Sequence, residues 1–100
     1  MPICKTARFA VRPEALEACK QAIRELVLHI KASEPGTRLY LSLQEQADPT
    51  RFRHVMIFDD EAAEGRHRSS DAVKKFTGVI YPATLQGVEF TTYAQIASNV

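Results

Sequence analysis

The sequence has no tryptophan and only two cysteines and four glycines among its 100 residues. Cys4 and Cys19 stand in no metal-ligand spacing, and we expect two free thiols in a reducing compartment rather than a disulfide. A zinc site would need three or four convergent ligands, whereas the three histidines are scattered. No apolar run approaches the roughly 20 residues of a membrane span, and no signal-peptide pattern opens the chain. We therefore expect a cytoplasmic protein without bound metal.

An excess of one charge is missing as well. Thirteen basic residues face twelve acidic ones, which gives a formal net charge of +1. A surface for nucleic acid or an anionic membrane would need a basic excess, and Arg66-His67-Arg68 is too short to supply one. The composition, 45% hydrophobic and 25% charged, is typical of a soluble globular protein. The length predicts one domain over residues 1–100.

Alternation of apolar and polar residues predicts four strands. On the first of them, Lys5 is the one charged residue on an otherwise apolar side. The third is apolar on both sides, which predicts a central strand covered twice. The predicted strands are Ile3 to Val11, Thr37 to Gln46, Phe52 to Phe58 and Gly87 to Ile96.

Two helical regions separate these strands. Pro13 and Glu14 suit a helix opening, and apolar residues at three- and four-residue spacing continue until just before Ser33. Asp60 predicts the cap of a second region, a short helix to about Arg68 that continues after a kink to about Gly78. The order β-α-β-β-α-β predicts an α+β, ferredoxin-like fold with a four-stranded antiparallel sheet.

Two helices cover only one face of such a sheet. The other face carries either Leu39, Leu41 and Leu43 or the alternate set that includes Tyr40. An open apolar face of that size is rare in a monomer, and a second copy would bury it through a symmetric contact. We therefore expect a homodimer.

Four short sequence motifs follow one another along the chain in a recognisable order. They are the turn Glu34-Pro35-Gly36-Thr37, the stretch Asp48-Pro49 before Arg51-Phe52, the run from Phe58 and Asp60 to His67 and Ser70, and the pair Val73 and Phe76. In order and spacing they resemble the antibiotic biosynthesis monooxygenase (ABM) family over nearly the whole chain. The resemblance implies a dimeric α+β barrel with an apolar pocket between sheet and helices.

Members of this family include cofactor-independent oxygenases of quinols and polyketide phenols, haem-degrading enzymes and isomerases, so the fold does not fix the function. The chain departs from the family pattern at two points. Met56 stands where members often carry a glutamate, although the aromatic at Phe58 is kept. The absence of tryptophan disfavours haem chemistry.

His67 is the predicted catalytic residue. It shares a helix face with Ala63 and Ser70, and that face should look at the sheet. An imidazole that titrates near neutrality can take a phenolic proton and leave an anion able to react with O₂ without flavin or metal. The alternative is a structural histidine that bonds a backbone carbonyl near the kink.

The predicted substrate-binding residues are polar-tipped or aromatic. A strand tyrosine can bond a carbonyl or quinone oxygen, although more often it packs its ring and keeps its hydroxyl in water. Ser70 is expected to cap a helix, and His29 to be structural or exposed. The predicted set is His54, Tyr40, Phe58, Phe76 and Tyr93.

The leading hypothesis is therefore a cofactor-independent monooxygenase that acts on a small aromatic or quinol-like molecule. One alternative is an isomerase or lyase of small carbonyl metabolites that uses the same pocket. The other is a non-catalytic small-molecule-binding or stress-response dimer, which the missing carboxylate at Met56 favours.

Overall fold

The computed structural model describes all 100 residues. The elements are β1 (Ile3–Ala10), a 3-10 turn (Pro13–Ala15), α1 (Leu16–Ser33), β2 (Thr37–Gln44), β3 (Arg51–Phe58), α2 (Glu61–Ser69), α3 (Asp71–Ala83) and β4 (Glu89–Tyr93). The sheet has the order β2-β3-β1-β4, and every neighbouring pair is antiparallel. Helices α1 and α3 pack against each other, with their apolar sides on one face of the sheet. This confirms the α+β, ferredoxin-like prediction.

Helix α3 runs beyond the predicted end near Gly78, as far as Ala83. Ile80 and Ala83 are both buried in the core, so packing favours helix where the sequence suggested a stop. Pro82 lies in the last turn of this helix and has no backbone N–H to donate to the carbonyl four residues earlier. The Arg12 guanidinium donates a hydrogen bond to the Pro82 carbonyl at 2.6 Å.

Three strands end earlier than predicted because their pairing with neighbouring strands ends there. Strand β4 ends at Tyr93 rather than Ile96 because Tyr93 pairs with Cys4, close to the start of β1. Strand β2 ends at Gln44, since Glu45 already belongs to the turn into β3. Val11 leaves the ladder and forms an isolated bridge with Thr84. Element type was thus predicted correctly, and the errors lie at the ends.

The core consists of two clusters of buried apolar side chains between sheet and helices. His54 lies on the same side of β3 as Phe52 and Met56, and it stands between them. Because Phe52 belongs to the first cluster and Met56 to the second, a polar imidazole separates the two. The clusters are Phe9, Val11, Cys19, Ile23, Phe52, Ile80 and Ala83, and Ala7, Met56, Phe58 and Ala63.

The opposite face of the sheet has no helix on it. Leu39, Leu41 and Leu43 are 38%, 44% and 45% exposed there. In register, Leu39 is opposite Ile57 and Leu41 is opposite Val55. Strand β3 is central in the sheet, as predicted, but within one chain only one of its faces is covered. We call this surface of β2 and β3 the open face.

Both cysteines are free. Cys4 points to the open side of β1, opposite Ile57, whereas Cys19 is buried in the core on the inner side of α1. The sheet separates the two thiols, so they cannot bridge within the chain. No helix has the length and apolar character needed to cross a membrane.

Candidate functional site

A cavity of about 510 Å³ lies between the helix-covered face of the sheet and the helices. Its volume falls within the roughly 300–1,000 Å³ of small-molecule sites. Strands β1 and β3 supply one wall, and α3 supplies most of the other. The apolar side chains that line it include Ala7, Phe9, Met56, Phe58, Val73, Phe76 and Ile80.

His67 lines this cavity from α2. The Asp60 side chain caps α2 by accepting a hydrogen bond from the Ala63 N–H at 2.8 Å, and Ala63 and His67 are buried one turn apart. His67 Nδ1 lies 2.8 Å from Glu34 Oε1. Because a carboxylate only accepts hydrogen bonds, Nδ1 donates to it, and the neutral tautomer with this contact is the one that has its lone pair on Nε2.

Glu34 ends α1, and its side chain is only 9% exposed. Its Oε1 also accepts a hydrogen bond from Thr37 Oγ1 at 2.8 Å. Its Oε2 lies 3.4 Å from His29 Nε2. The carboxylate therefore lies between two imidazoles, and His29 contacts it without lining the cavity.

Gly36 brings this turn close to α2. A Cβ at that position would lie 2.7 Å from the Ala63 Cβ, which is closer than side chains pack. Any larger residue would push the turn away from α2. Glycine thus permits the approach that puts Glu34 beside His67.

His54 and Tyr40 form a second polar pair in the cavity. His54 is 1% exposed, and its Nδ1 lies 2.8 Å from the Tyr40 hydroxyl. Burial lowers the pKa of His54 to about 4, so the ring is neutral at pH 7. Burial also raises the pKa of Tyr40, with smaller contributions from Glu34 and Tyr81. His54 Nε2 is buried without a hydrogen-bond partner.

Aromatic contacts link the two histidines. The Tyr40 ring centroid lies 5.3 Å from that of His54 and 5.6 Å from that of His67. Phe58 lies 5.2 Å from His67, and Phe76 lies 5.8 Å from His54. The structure thus brings five of the six predicted site residues to one cavity.

Tyr93 is the one predicted site residue that lies outside this cavity. It pairs with Cys4 in the register of β1 and β4, which turns it toward the side of the sheet without helices. It is half-exposed and does not line the cavity. The alternation of β4 was read correctly, but only the register decides which side faces the helices.

Sequence reasoning missed the charged residues of the cavity. Lys5 and Glu64 line it and form an ion pair with each other. Arg68 and Lys74 line it as well. Lys5 was the only one with a signal, as the single charge on the apolar side of β1. No group of three or more histidine, cysteine or acidic side chains is arranged to hold a metal ion.

Comparisons with known proteins agree with this architecture. A candidate antibiotic biosynthesis monooxygenase from Bacteriodes thetaiotaomicron superposes with a TM-score of 0.92, at 21% identity over 99% of this chain and 93% of the other. Rv0793 from Mycobacterium tuberculosis gives a TM-score of 0.89, at 19% identity over 100% of both chains. PA3566 from Pseudomonas aeruginosa gives 0.84, at 26% identity over 96% and 95%.

None of the curated proteins matches the sequence significantly. The family described as "Antibiotic biosynthesis monooxygenase" matches residues 2–78. This match spans β1 to the middle of α3 and includes the turn of Glu34 and both cavity histidines. The chain therefore belongs to the antibiotic biosynthesis monooxygenase family.

Proposed function

We propose that the chain is a cofactor-independent monooxygenase that oxidises a small aromatic or quinol-like molecule held in the cavity. The observation that carries this proposal is the Glu34–His67 pair at the wall of an apolar cavity, with Nδ1 2.8 Å from Oε1. The carboxylate holds the imidazole in one tautomer and stabilises the imidazolium that forms when Nε2 accepts a proton.

The reaction begins when His67 Nε2 takes the proton of a phenolic hydroxyl. The resulting anion is electron-rich, and O₂ oxidises it directly. Over the whole reaction a quinol and O₂ give a hydroxyquinone and water. One oxygen atom enters the ring and the other leaves as water, and the substrate supplies all the electrons. The proton held on His67 leaves with that water.

The surroundings of His67 suit this chemistry. Phe58 and Phe76 offer flat apolar contacts to an aromatic ring. The Tyr40–His54 pair offers a second polar contact, because His54 Nε2 has no partner within the chain. An apolar wall excludes water, which strengthens electrostatic contacts to the anion.

We further propose that this single domain works as a cytoplasmic homodimer joined through the open face. Leu39, Leu41 and Leu43 stay partly exposed beside the half-buried Val55 and Ile57. A second copy would cover this apolar surface by a symmetric contact. Two free thiols fit a reducing compartment.

Oxygen uptake with a panel of quinols and anthrone-type phenols tests the enzymatic proposal. His67→Ala should lower kcat/KM by roughly 10²- to 10⁴-fold, which is the usual contribution of a general base. His29→Ala is the matched control, because His29 touches the same carboxylate but does not line the cavity. Its rate should stay close to that of the wild type.

The outcomes separate the proposal from its alternatives. If no compound gives a rate that depends on His67, the monooxygenase is excluded. Turnover that persists without oxygen would indicate the isomerase or lyase instead. Thermal stabilisation by a ligand that is equal in wild type and His67→Ala, with no turnover, would indicate a binding protein.

A further inference from the structure

The mouth of the cavity carries positive charge that nothing in the chain neutralises. Glu64 is the one carboxylate that lines the cavity, and it is paired with Lys5. Arg68 and Lys74 also line the cavity, yet neither lies within ion-pair distance of a carboxylate. Both are exposed. They therefore stand at the opening, one before and one after the kink at Ser70.

The interior of the cavity contains a buried polar atom that has no hydrogen-bond partner. His54 Nε2 is buried without a partner, while Nδ1 of the same ring is bonded to Tyr40. A buried polar nitrogen is unfavourable unless a ligand or water satisfies it. The surrounding wall is apolar, with the rings of Phe9 and Phe76 close to the imidazole. The cavity thus combines one unsatisfied polar atom inside with two unpaired cations outside.

We infer that the ligand of this cavity is an aromatic hydroxy acid. Its ring would fill the apolar interior, and its carboxylate would meet Arg68 and Lys74 at the mouth. Its hydroxyl would lie between His67 and the His54–Tyr40 pair, since the Tyr40 ring is close to both imidazoles. The inference rests on the proposed function in that it puts the substrate in this cavity. Guanidinium groups bind carboxylates with two parallel hydrogen bonds, and an ammonium adds a point charge. A neutral quinol would use neither cation.

Calorimetric titration with three probes tests this assignment without any turnover. The probes are 6-hydroxy-2-naphthoic acid, 2-naphthol, which lacks the carboxylate, and 2-naphthoic acid, which lacks the hydroxyl. Wild-type protein should bind the hydroxy acid about tenfold more tightly than 2-naphthol and several-fold more tightly than 2-naphthoic acid. The preference over 2-naphthol should shrink as salt is raised, because the two cations are exposed.

Two double variants with the same charge change locate the effect. R68Q/K74Q should weaken binding of the hydroxy acid by roughly five- to tenfold and leave 2-naphthol within twofold. The control R66Q/K75Q removes one cation from each of the same helices. Arg66 and Lys75 do not line the cavity, so this variant should bind all three probes like the wild type.

The inference is overturned if the wild type binds 2-naphthol as tightly as the hydroxy acid, if it binds none of the probes, or if both double variants lose affinity equally. Oxygen uptake is a separate readout. A charge preference that R68Q/K74Q abolishes would support the ligand class even if no quinol is oxidised, and in that case only the monooxygenase proposal fails. Oxidation of quinols without any charge preference would overturn the ligand class alone.

Discussion

The two faces of the sheet are built from the same strands but differ in what covers them. On β3, His54, Met56 and Phe58 point to the helices and are buried, whereas Val55 and Ile57 point to the open face. Because side chains alternate along a strand, one step in sequence separates the lining of the cavity from the open face. A slip of one residue in register would exchange the two surfaces. Register therefore decides the chemistry of each face.

The largest expected effect is on dimer association through the open face. Leu41→Glu places a carboxylate among apolar side chains that a partner copy would bury, where an unpaired charge is costly. A symmetric dimer carries the substitution twice, so at about 2 kcal/mol for each central contact residue its association should weaken by about 10³-fold. The folded chain itself should change little, since Leu41 is 44% exposed. Sedimentation velocity over a range of concentrations measures the association.

Val79→Glu is the matched control for this experiment. Val79 is a partly exposed valine of α3, and it lines a groove formed only by α1 and α3, on the side of the sheet opposite the open face. Its replacement should leave association unchanged. Dissociation of Val79→Glu together with an intact dimer of Leu41→Glu would move the interface to the helices and contradict the open-face proposal.

The second effect concerns the helix-covered face of the sheet, where the stability contributed by the buried His54 should depend on pH. Burial lowers the pKa of His54 from 6.5 to about 4, so the folded state resists the proton that the unfolded chain accepts. The stability that His54 contributes is complete above pH 6.5 and is lost as the pH falls toward 4. The gap between the two values corresponds to roughly 3 kcal/mol.

Urea unfolding from pH 7 to pH 4, at one protein concentration, measures this loss in wild type and in H54L/Y40F. The double variant removes both members of the hydrogen-bonded pair, so no polar atom of the pair is left unpartnered. Its stability should fall less steeply through this window, because every other titrating group is common to both proteins. A difference between the two that does not change with pH would contradict the buried neutral histidine.

Much of this contrast between the faces could be predicted from local patterns. The alternation of strand residues, the helix stripe of Cys19 and Ile23, and the kink at Ser70 are properties of short segments. They led to the correct fold. The proximity of His67 and Phe58 followed from the family resemblance together with the face of a helix.

The rest depended on contacts between distant segments, which periodicity does not encode. Glu34 reaches His67 across 33 positions, and only the close approach at Gly36 makes that contact possible. The side taken by Tyr93 depends on the pairing of β4 with β1. Arg68 and Lys74 look like ordinary solvated helix residues until the cavity between sheet and helices is known.

The smallest effect concerns the Ser70 cap between α2 and α3, on the helix-covered side of the sheet, and it should leave the open face unaffected. The Ser70 hydroxyl accepts a hydrogen bond from the Val73 N–H at 3.1 Å and donates one to the His67 carbonyl at 2.9 Å. It therefore caps α3 and ties it to the backbone of His67. Ser70→Ala should lower the free energy of unfolding by about 1 kcal/mol, as measured by urea unfolding, and should leave dimer association unchanged.

Two variants show whether the cap is the cause. Ser70→Asp keeps an oxygen that can accept from the N–H groups of α3, so it should retain most of the stability. Ser69→Ala is the neighbouring control, because its hydroxyl donates back to the Gly65 carbonyl within α2 at 2.9 Å and caps nothing. If Ser69→Ala costs as much as Ser70→Ala, the loss belongs to the helices in general. If only Ser70→Ala lowers the free energy of unfolding and Ser70→Asp keeps it, the Ser70 cap is what joins α2 to α3 beside His67.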